Sequence, residues 1–542
     1  MEAAGESQLT ALRRIAKRMG QARAALSAAL AIAAGLVLRL WMLKSLFQVN
    51  GDTLIYGDLA KNLLLHGSFA LTLSSGATYP TLIRLPGYPL FLAACFRVFG
   101  MENYFAAACV QIGLELLGCL LLADFVRRIA PPEASRGAPL ATLWLGALCP
   151  FTASYTAAPL TETPTLFVLA LAMWSMARFR ERPGSPLAGG SESRGRWGGG
   201  PGWANALCFT FAVTWAAFLR PDGALAAVAF APALVIGLER NPSNSAHSDC
   251  ARSGFFLRKK PGEERRSGCA CSDSAVPRGA ITPQKLMRMT VVCVLLALAP
   301  FAVWTARNWS VFHVFEPLAP RLANDPDERP NLGFERWVKT WCLDFVSTND
   351  IYWNAPGGKL EMSDLPSRAF DSPTQYAETA AIVADYSSRG MEITPEIDAR
   401  FEKLAEERIA AHSLRYYVGL PLGRVADMWL RPRVENLNID SDWWVYANHH
   451  ADTEFSWAYV ALNALYLLLG FGGLCMRPRY WGALLAYMLL RSALLLTVAA
   501  PEARYTLECF PMMFAAGGIA LWKLASRLYL PASKLKAPLG NG

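Results

Sequence analysis

Apolar segments recur along the chain at roughly 24–47, 104–126, 139–158, 160–177, 203–219, 222–238, 286–309, 455–476, 480–499 and 505–526. Each is long enough, or nearly so, to cross a hydrocarbon core of about 30 Å. Inside a bilayer every backbone N–H and C=O needs a partner within its own segment, so such runs fold as helices. The pattern predicts an all-α polytopic membrane protein with about 10 transmembrane helices. Charged residues still make up 18% of the 542, too many for spans alone, so polar loops of some size are expected. The first run follows Arg13, Arg14, Lys17, Arg18 and Arg23 but continues to about Phe47, longer than the apolar region of a cleaved signal. It reads as an uncleaved first span.

A net charge of +9 could suggest nucleic acid, but the basic residues argue otherwise. They fall in short clusters just beyond apolar segments: Arg127, Arg128 and Arg136; Arg178 to Arg196; Arg240 to Arg288; Arg477 and Arg479; Lys523 to Lys536. That is the positive-inside distribution of a membrane protein. It also resolves one ambiguous run, 86–100, which is short and opens Pro86-Gly87-Tyr88-Pro89. If this run spanned, every later basic cluster would move outside. It is therefore expected as a juxtamembrane helix on the outer surface, with both termini cytoplasmic, as in a multi-pass inner (plasma) membrane protein of bacterial type.

This topology divides the chain. Residues 1–310 form a transmembrane module whose first outer loop is 48–103. The cytoplasmic loop 240–285 is rich in Ser, Gly and Arg, poor in apolar residues, and expected to be disordered. An extracytoplasmic segment, 311–454, is rich in Trp and Tyr, with an amphipathic helical pattern near 371–416; the transmembrane helices of 455–526 and a cytoplasmic tail, 527–542, complete the chain.

Charges of both signs collect at the outer ends of the spans: Asp52, Asp58, Arg84, Glu162, Arg220, Asp222, Arg307, Glu502 and Arg504. Charge near hydrocarbon is costly, so a cluster at one depth implies a lined cavity. Each residue has a plainer reading alone: a solvated span end for Asp52, and headgroup anchors for Arg220 and Arg504. The plainer readings weaken together. Asp52 and Tyr56 share a helix face, Asp58 does not, and capping by Thr161 leaves a glutamate beside a span unexplained.

These residues carry a family resemblance. Asp52, Tyr56, Ala60, Asn62-Leu63-Leu64, Gly67, Arg84 and Pro86-Gly87-Tyr88-Pro89 resemble the first outer loop of the GT-C superfamily of polyprenyl-phosphate-sugar glycosyltransferases. The likeness is to the bacterial branch related to protein O-mannosyltransferases and lipid A aminoarabinose transferases. Leu160-Thr161-Glu162, Phe218-Leu219-Arg220-Pro221, Arg307-Asn308-Trp309 and Glu502-Ala503-Arg504-Tyr505 resemble later elements of that branch. Thr53 stands where the O-mannosyltransferases carry the Glu of an Asp-Glu pair, and an Asp-x-Asp metal arrangement is absent near Asp52.

The resemblance implies transfer of a sugar from a polyprenyl-phosphate-linked donor in the bilayer to a lipid, glycan or protein acceptor on the extracytoplasmic face. Asp52 would take the hydroxyl proton, and Glu162 would orient sugar or acceptor. Arg84, Arg220, Arg504 and Arg307 would hold the phosphate, whose oxygens match the guanidinium fork. Tyr56, Tyr88 and Tyr505, with Asp58, would contact the substrates. No nucleotide loop and no nucleic-acid partner are expected; no cofactor is assigned, and a divalent metal stays open with no motif to support it. Two other readings share these residues: a lipid-linked sugar transporter or flippase, favoured by Arg39, Glu115, Asp124 and Arg491 within spans, and a lipid-linked glycan polymerase or ligase.

Overall fold

The computed structural model describes residues 2–135, 137–179, 202–235, 283–320, 322–440, 442–444 and 450–529. The loop expected at 240–285 lies, up to residue 282, outside the described residues, as does the tail beyond Tyr529.

The helices, in chain order, are α1 (Glu2–Leu46), α2 (Asp52–His66), α3 (Gly87–Phe99), α4 (Tyr104–Ile129), α5 (Gly137–Ala147), α6 (Pro150–Tyr155), α7 (Glu162–Phe179), α8 (Gly202–Leu219) and α9 (Leu225–Val235). They continue with α10 (Pro283–Phe312), α11 (Leu332–Lys339), α12 (Pro373–Ser388), α13 (Pro395–Ala411), α14 (Leu420–Leu430), α15 (His450–Cys475), α16 (Trp481–Leu495) and α17 (Phe510–Tyr529). The protein is a polytopic helical membrane protein. Six helices are long and apolar enough to span by length and composition: Met19–Leu46, Tyr104–Ile129, Gly202–Leu219, Gln284–Phe312, His450–Cys475 and Ala503–Leu528. Of the other four apolar segments, three are shorter or broken, and the fourth is α7, 18 residues like α8 but not among those six. The expected span 139–158 divides at Cys149-Pro150 into α5 and α6, because proline cannot donate its backbone N–H within a helix. The segment 222–238 opens as a 3-10 turn, Pro221–Ala224, before α9.

Helix α3 has 13 residues, about 20 Å at 1.5 Å each, too short to cross the core. It buries Tyr88, Leu92 and Phe96 and leaves Val98 and Phe99 exposed, as a surface-lying helix does. Gly87 begins it because a Cβ there would stand 2.3 Å from the Phe218 carbonyl oxygen. That close approach fixes the first outer loop against the end of α8.

At the bundle centre, α17 packs against α15, α5 and α4. Gly473 permits the closest approach, since a Cβ there would lie 1.9 Å from the Ala516 carbonyl oxygen. Phe151, Tyr466, Phe510 and Phe514 interlock edge to face around this seam. Residues 311–444 lie over one end of the bundle with their own core, where Trp337 and Phe334 of α11 meet Phe401 of α13 at ring distances of 4.8 and 5.3 Å. The pattern near 371–416 appears as α12 and α13, capped by Ser372 and Thr394, each followed by Pro. Trp429 Nε1 donates to Ser492 Oγ of α16 at 3.2 Å, and Asn436 Nδ2 to the Ser154 carbonyl at 2.9 Å, pinning this segment to the bundle.

Two charged groups within spans are closed off. Arg39 Nε donates to Glu115 Oε2 at 2.5 Å, and its Nη1 donates to the carbonyls of Gly35 and Ala147 at 2.9 and 2.6 Å. Arg39→Met should strand the buried Glu115 and destabilise the protein by about 3–5 kcal/mol, while Arg39→Met with Glu115→Leu should recover most of that. Thermal unfolding in detergent checks this; a single variant no worse than the double would show that the pair carries no such weight.

Candidate active site

The site forms where the C-terminal ends of α1, α8 and α16 meet the N-terminal ends of α7 and α17. Gly51, at φ 49°, allows the sharp turn from α1 into α2, and Asp52 is the first residue of α2. Arg84 Nη2 donates to Asp52 Oδ1 at 2.7 Å, and Arg504 Nη2 lies 3.9 Å from Asp52 Oδ2. Burial pushes the Asp52 carboxyl up, but Arg84, Arg504 and Arg220 outweigh it and hold it below the ordinary aspartate range. Tyr56, one turn on, meets Tyr88 edge to face at 5.0 Å. Burial and then the nearby Asp52 push the Tyr56 hydroxyl up to about 12, so it stays a neutral donor at physiological pH.

Glu162 opens α7 and is 2% exposed. Its Oε1 faces Arg220 Nη1 at 3.3 Å and Arg504 Nη1 at 3.7 Å, while its Oε2 has no hydrogen-bond partner among the described residues. Arg220 also contacts Glu508 Oε1 at 3.0 Å and Asp222 Oδ1 at 3.4 Å. Beneath it, fully buried Arg491 of α16 pairs with Asp222 and, at 3.2 Å, with Glu508, and donates to the Tyr505 carbonyl at 2.9 Å. Glu502 pairs with Arg504 and accepts from the Tyr505 hydroxyl. Four guanidiniums thus interleave with five carboxylates.

They line a cavity with two lobes. An inner lobe of about 240 Å³ is bounded by Asp52, Tyr56, Arg84, Glu162, Arg220 and Arg504. An outer lobe of about 860 Å³ shares Asp52, Arg84, Arg220 and Arg504 and extends beneath Tyr352 and Trp353 of the 311–444 segment. Among the described residues no group of three or more His, Cys, Asp or Glu is gathered as a metal site.

The structure brings together Asp52, Tyr56, Arg84, Glu162, Arg220, Arg504 and Tyr505. Three other candidates sit elsewhere. Asp58 accepts from Thr72 N at 2.6 Å and from Thr72 Oγ1 at 2.9 Å, holding a hairpin of β1 (Ala70–Thr72) and β2 (Thr78–Pro80). Arg307 donates to the carbonyls of Phe69 and Thr81 at 2.7 and 2.8 Å, so its fork is occupied by backbone outside the cavity. Tyr88 is fully buried behind Tyr56, donating to Gln111 Oε1 at 2.7 Å. Four residues join the site without a role assigned from sequence: Asp222, Arg491, Glu502 and Glu508. Asp222 and Glu502 were visible as span-end charges. Arg491 and Glu508 lie deeper, where sequence position gives no partner.

Neither a protein-family model nor a curated protein sequence matches the chain. Two solved structures resemble it: ArnT from Cupriavidus metallidurans in the apo state (TM-score 0.33, 13% identity, 92% of this chain and 77% of that one) and the same protein bound to undecaprenyl phosphate (TM-score 0.34, 14% identity, 92% and 78%). Likeness at this level carries no argument about function, which rests below on the side chains.

Because Asp52 titrates below its ordinary range, its contact with Arg84 is intact at neutral pH and is lost as pH falls through the lowered value. Arg84→Met should move the Asp52 midpoint upward, read from the carboxylate infrared band against Asp52→Asn. An unmoved midpoint would show that Arg84 does not act on Asp52.

Proposed function

We propose that the chain transfers a sugar from a polyprenyl-phosphate donor to an acceptor hydroxyl, on the extracytoplasmic face of a bacterial-type inner membrane. The observation that carries this is a carboxylate, Asp52, held between Arg84 and Arg504 in a cavity at the ends of the apolar helices. The family resemblance read from the same residues supports it. A phosphate entering the inner lobe meets Arg84, Arg220 and Arg504, whose planar forks suit its oxygens. Drawing Arg84 and Arg504 toward phosphate weakens their hold on Asp52 and raises its basicity when a hydroxyl must lose its proton. The acceptor oxygen then bonds to the anomeric carbon, its proton passes to Asp52, and the old C–O electron pair leaves with the phosphate. The free Glu162 Oε2 is a ready acceptor for a sugar hydroxyl.

The charge pattern supports that face. Arg127, Arg128, Arg178, Arg288, Arg477, Arg479 and Lys523 stand at or near helix ends away from the cavity, which supports a cytoplasmic location for those ends and for both termini. The transporter reading loses its main support. Arg39 and Glu115 are locked together, Asp124 pairs with Arg127 and Arg128 and accepts from Trp174 Nε1 at 2.8 Å, and Arg491 belongs to the cavity floor.

Asp52→Asn should lower transfer of labelled sugar in membranes by about 10²–10⁴-fold while undecaprenyl phosphate still binds. Near-normal transfer would remove Asp52 as the base. Arg504→Ala should weaken undecaprenyl phosphate binding by about tenfold or more; unchanged affinity would take Arg504 out of the phosphate site.

A further inference from the structure

The two lobes differ in what their polar groups already do. Around the inner lobe the guanidiniums are paired with carboxylates. In the outer lobe several groups make no side-chain hydrogen bond among the described residues: the Glu335 carboxylate and the Tyr352 hydroxyl, which stand near one another, the Trp353 indole N–H and Asn436 Oδ1. Trp353 is 47% exposed and is braced by Phe345, whose ring meets it edge-on at 5.4 Å. The Asn436 amide is fixed from behind by its bond to the Ser154 carbonyl at 2.9 Å, which orders it while leaving its oxygen available. On the α1 side, Asn50 Nδ2 donates to Gln48 Oε1 at 3.0 Å, so a pair of amides also lines the lobe.

A braced aromatic ring with amide and carboxylate groups around it matches a sugar. The C–H face of a pyranose packs on an indole, and its neighbouring hydroxyls both donate and accept, as amides do. Beyond the residues shared with the inner lobe, the lining adds one basic residue, Arg491, already paired with Asp222 and Glu508, and two acids, Glu335 and Glu502, a balance that disfavours a second anion. About 860 Å³ is within the range that encloses a multi-ring ligand.

We propose that the outer lobe is an acceptor subsite for an uncharged saccharide. Trp353 is the platform for its ring, Asn436 and Glu335 hold its hydroxyls, and one hydroxyl is presented to Asp52. This rests on the glycosyl-transfer reading of the inner lobe and adds that the acceptor is a glycan and not a protein side chain.

The test is saturation-transfer NMR on the full protein in nanodiscs, with a panel of methyl glycosides and disaccharides at millimolar concentration and a Ser/Thr peptide alongside. Saturation should reach the ring protons of one or more saccharides and fall by about fivefold in Trp353→Ala, with Trp353→Phe retaining most of it and Asn436→Ala reducing it. The Phe variant separates stacking from a folding defect. Saturation of the peptide but not the saccharides, or a saccharide signal indifferent to Trp353→Ala, overturns the proposal. Undecaprenyl phosphate binding is measured on the same samples. Failure there, with saccharide binding intact, counts against the transfer reading and not the saccharide lobe; the reverse pattern overturns the lobe alone.

Discussion

Charge placed at the edge of an apolar bundle must be neutralised locally, because moving a single ion out of water costs several kcal/mol even after relaxation. The chain meets this with a lattice of ion pairs. Arg491 is fully buried yet contacts Asp222 and Glu508, both of which also reach Arg220. Arg220 and Arg504 then share Glu162. The lattice joins the corner after α8 to the end of α16 and the start of α17, far on in the sequence. The shape of the cavity floor, and so the position of each arginine facing it, depends on every member being present.

Much of this was legible in the sequence because it is a matter of position. Asp52, Glu162, Arg220 and Arg504 each stand beside the end of an apolar run, and the basic clusters stand at the other ends. The same bookkeeping kept 86–100 from being read as a span, and α3 is indeed too short to cross. The break at Pro150 was also written in the sequence, but apolar residues on both sides made 139–158 look continuous.

Other assignments needed coordinates. Arg307 occupies a span end like Arg220, and nothing in its neighbours says that its fork is taken by the carbonyls of Phe69 and Thr81. Arg491 looked like a charge crossing the membrane, because only the fold shows that Asp222 comes to meet it. Asp58 has the same chemistry as Asp52, six residues away, but the helix turns it toward Thr72. The amphipathic pattern of 371–416 was readable, whereas Trp353 reaches the cavity wall through an irregular segment with no period to read.

The small hairpin has a mechanical meaning. Arg307 of α10 grips the residue before one strand and the residue after the other, and Phe69 packs on Trp304 of α10 at 5.0 Å. From the other side, Asp58 and Asn62 of α2 hold Thr72 and Ala70. Helix α10 is the least enclosed of the long spans, with 6% of its apolar window buried. The hairpin is therefore a rigid strut between the helix most open to lipid and the helix that carries Asp52, and the two cannot shift independently.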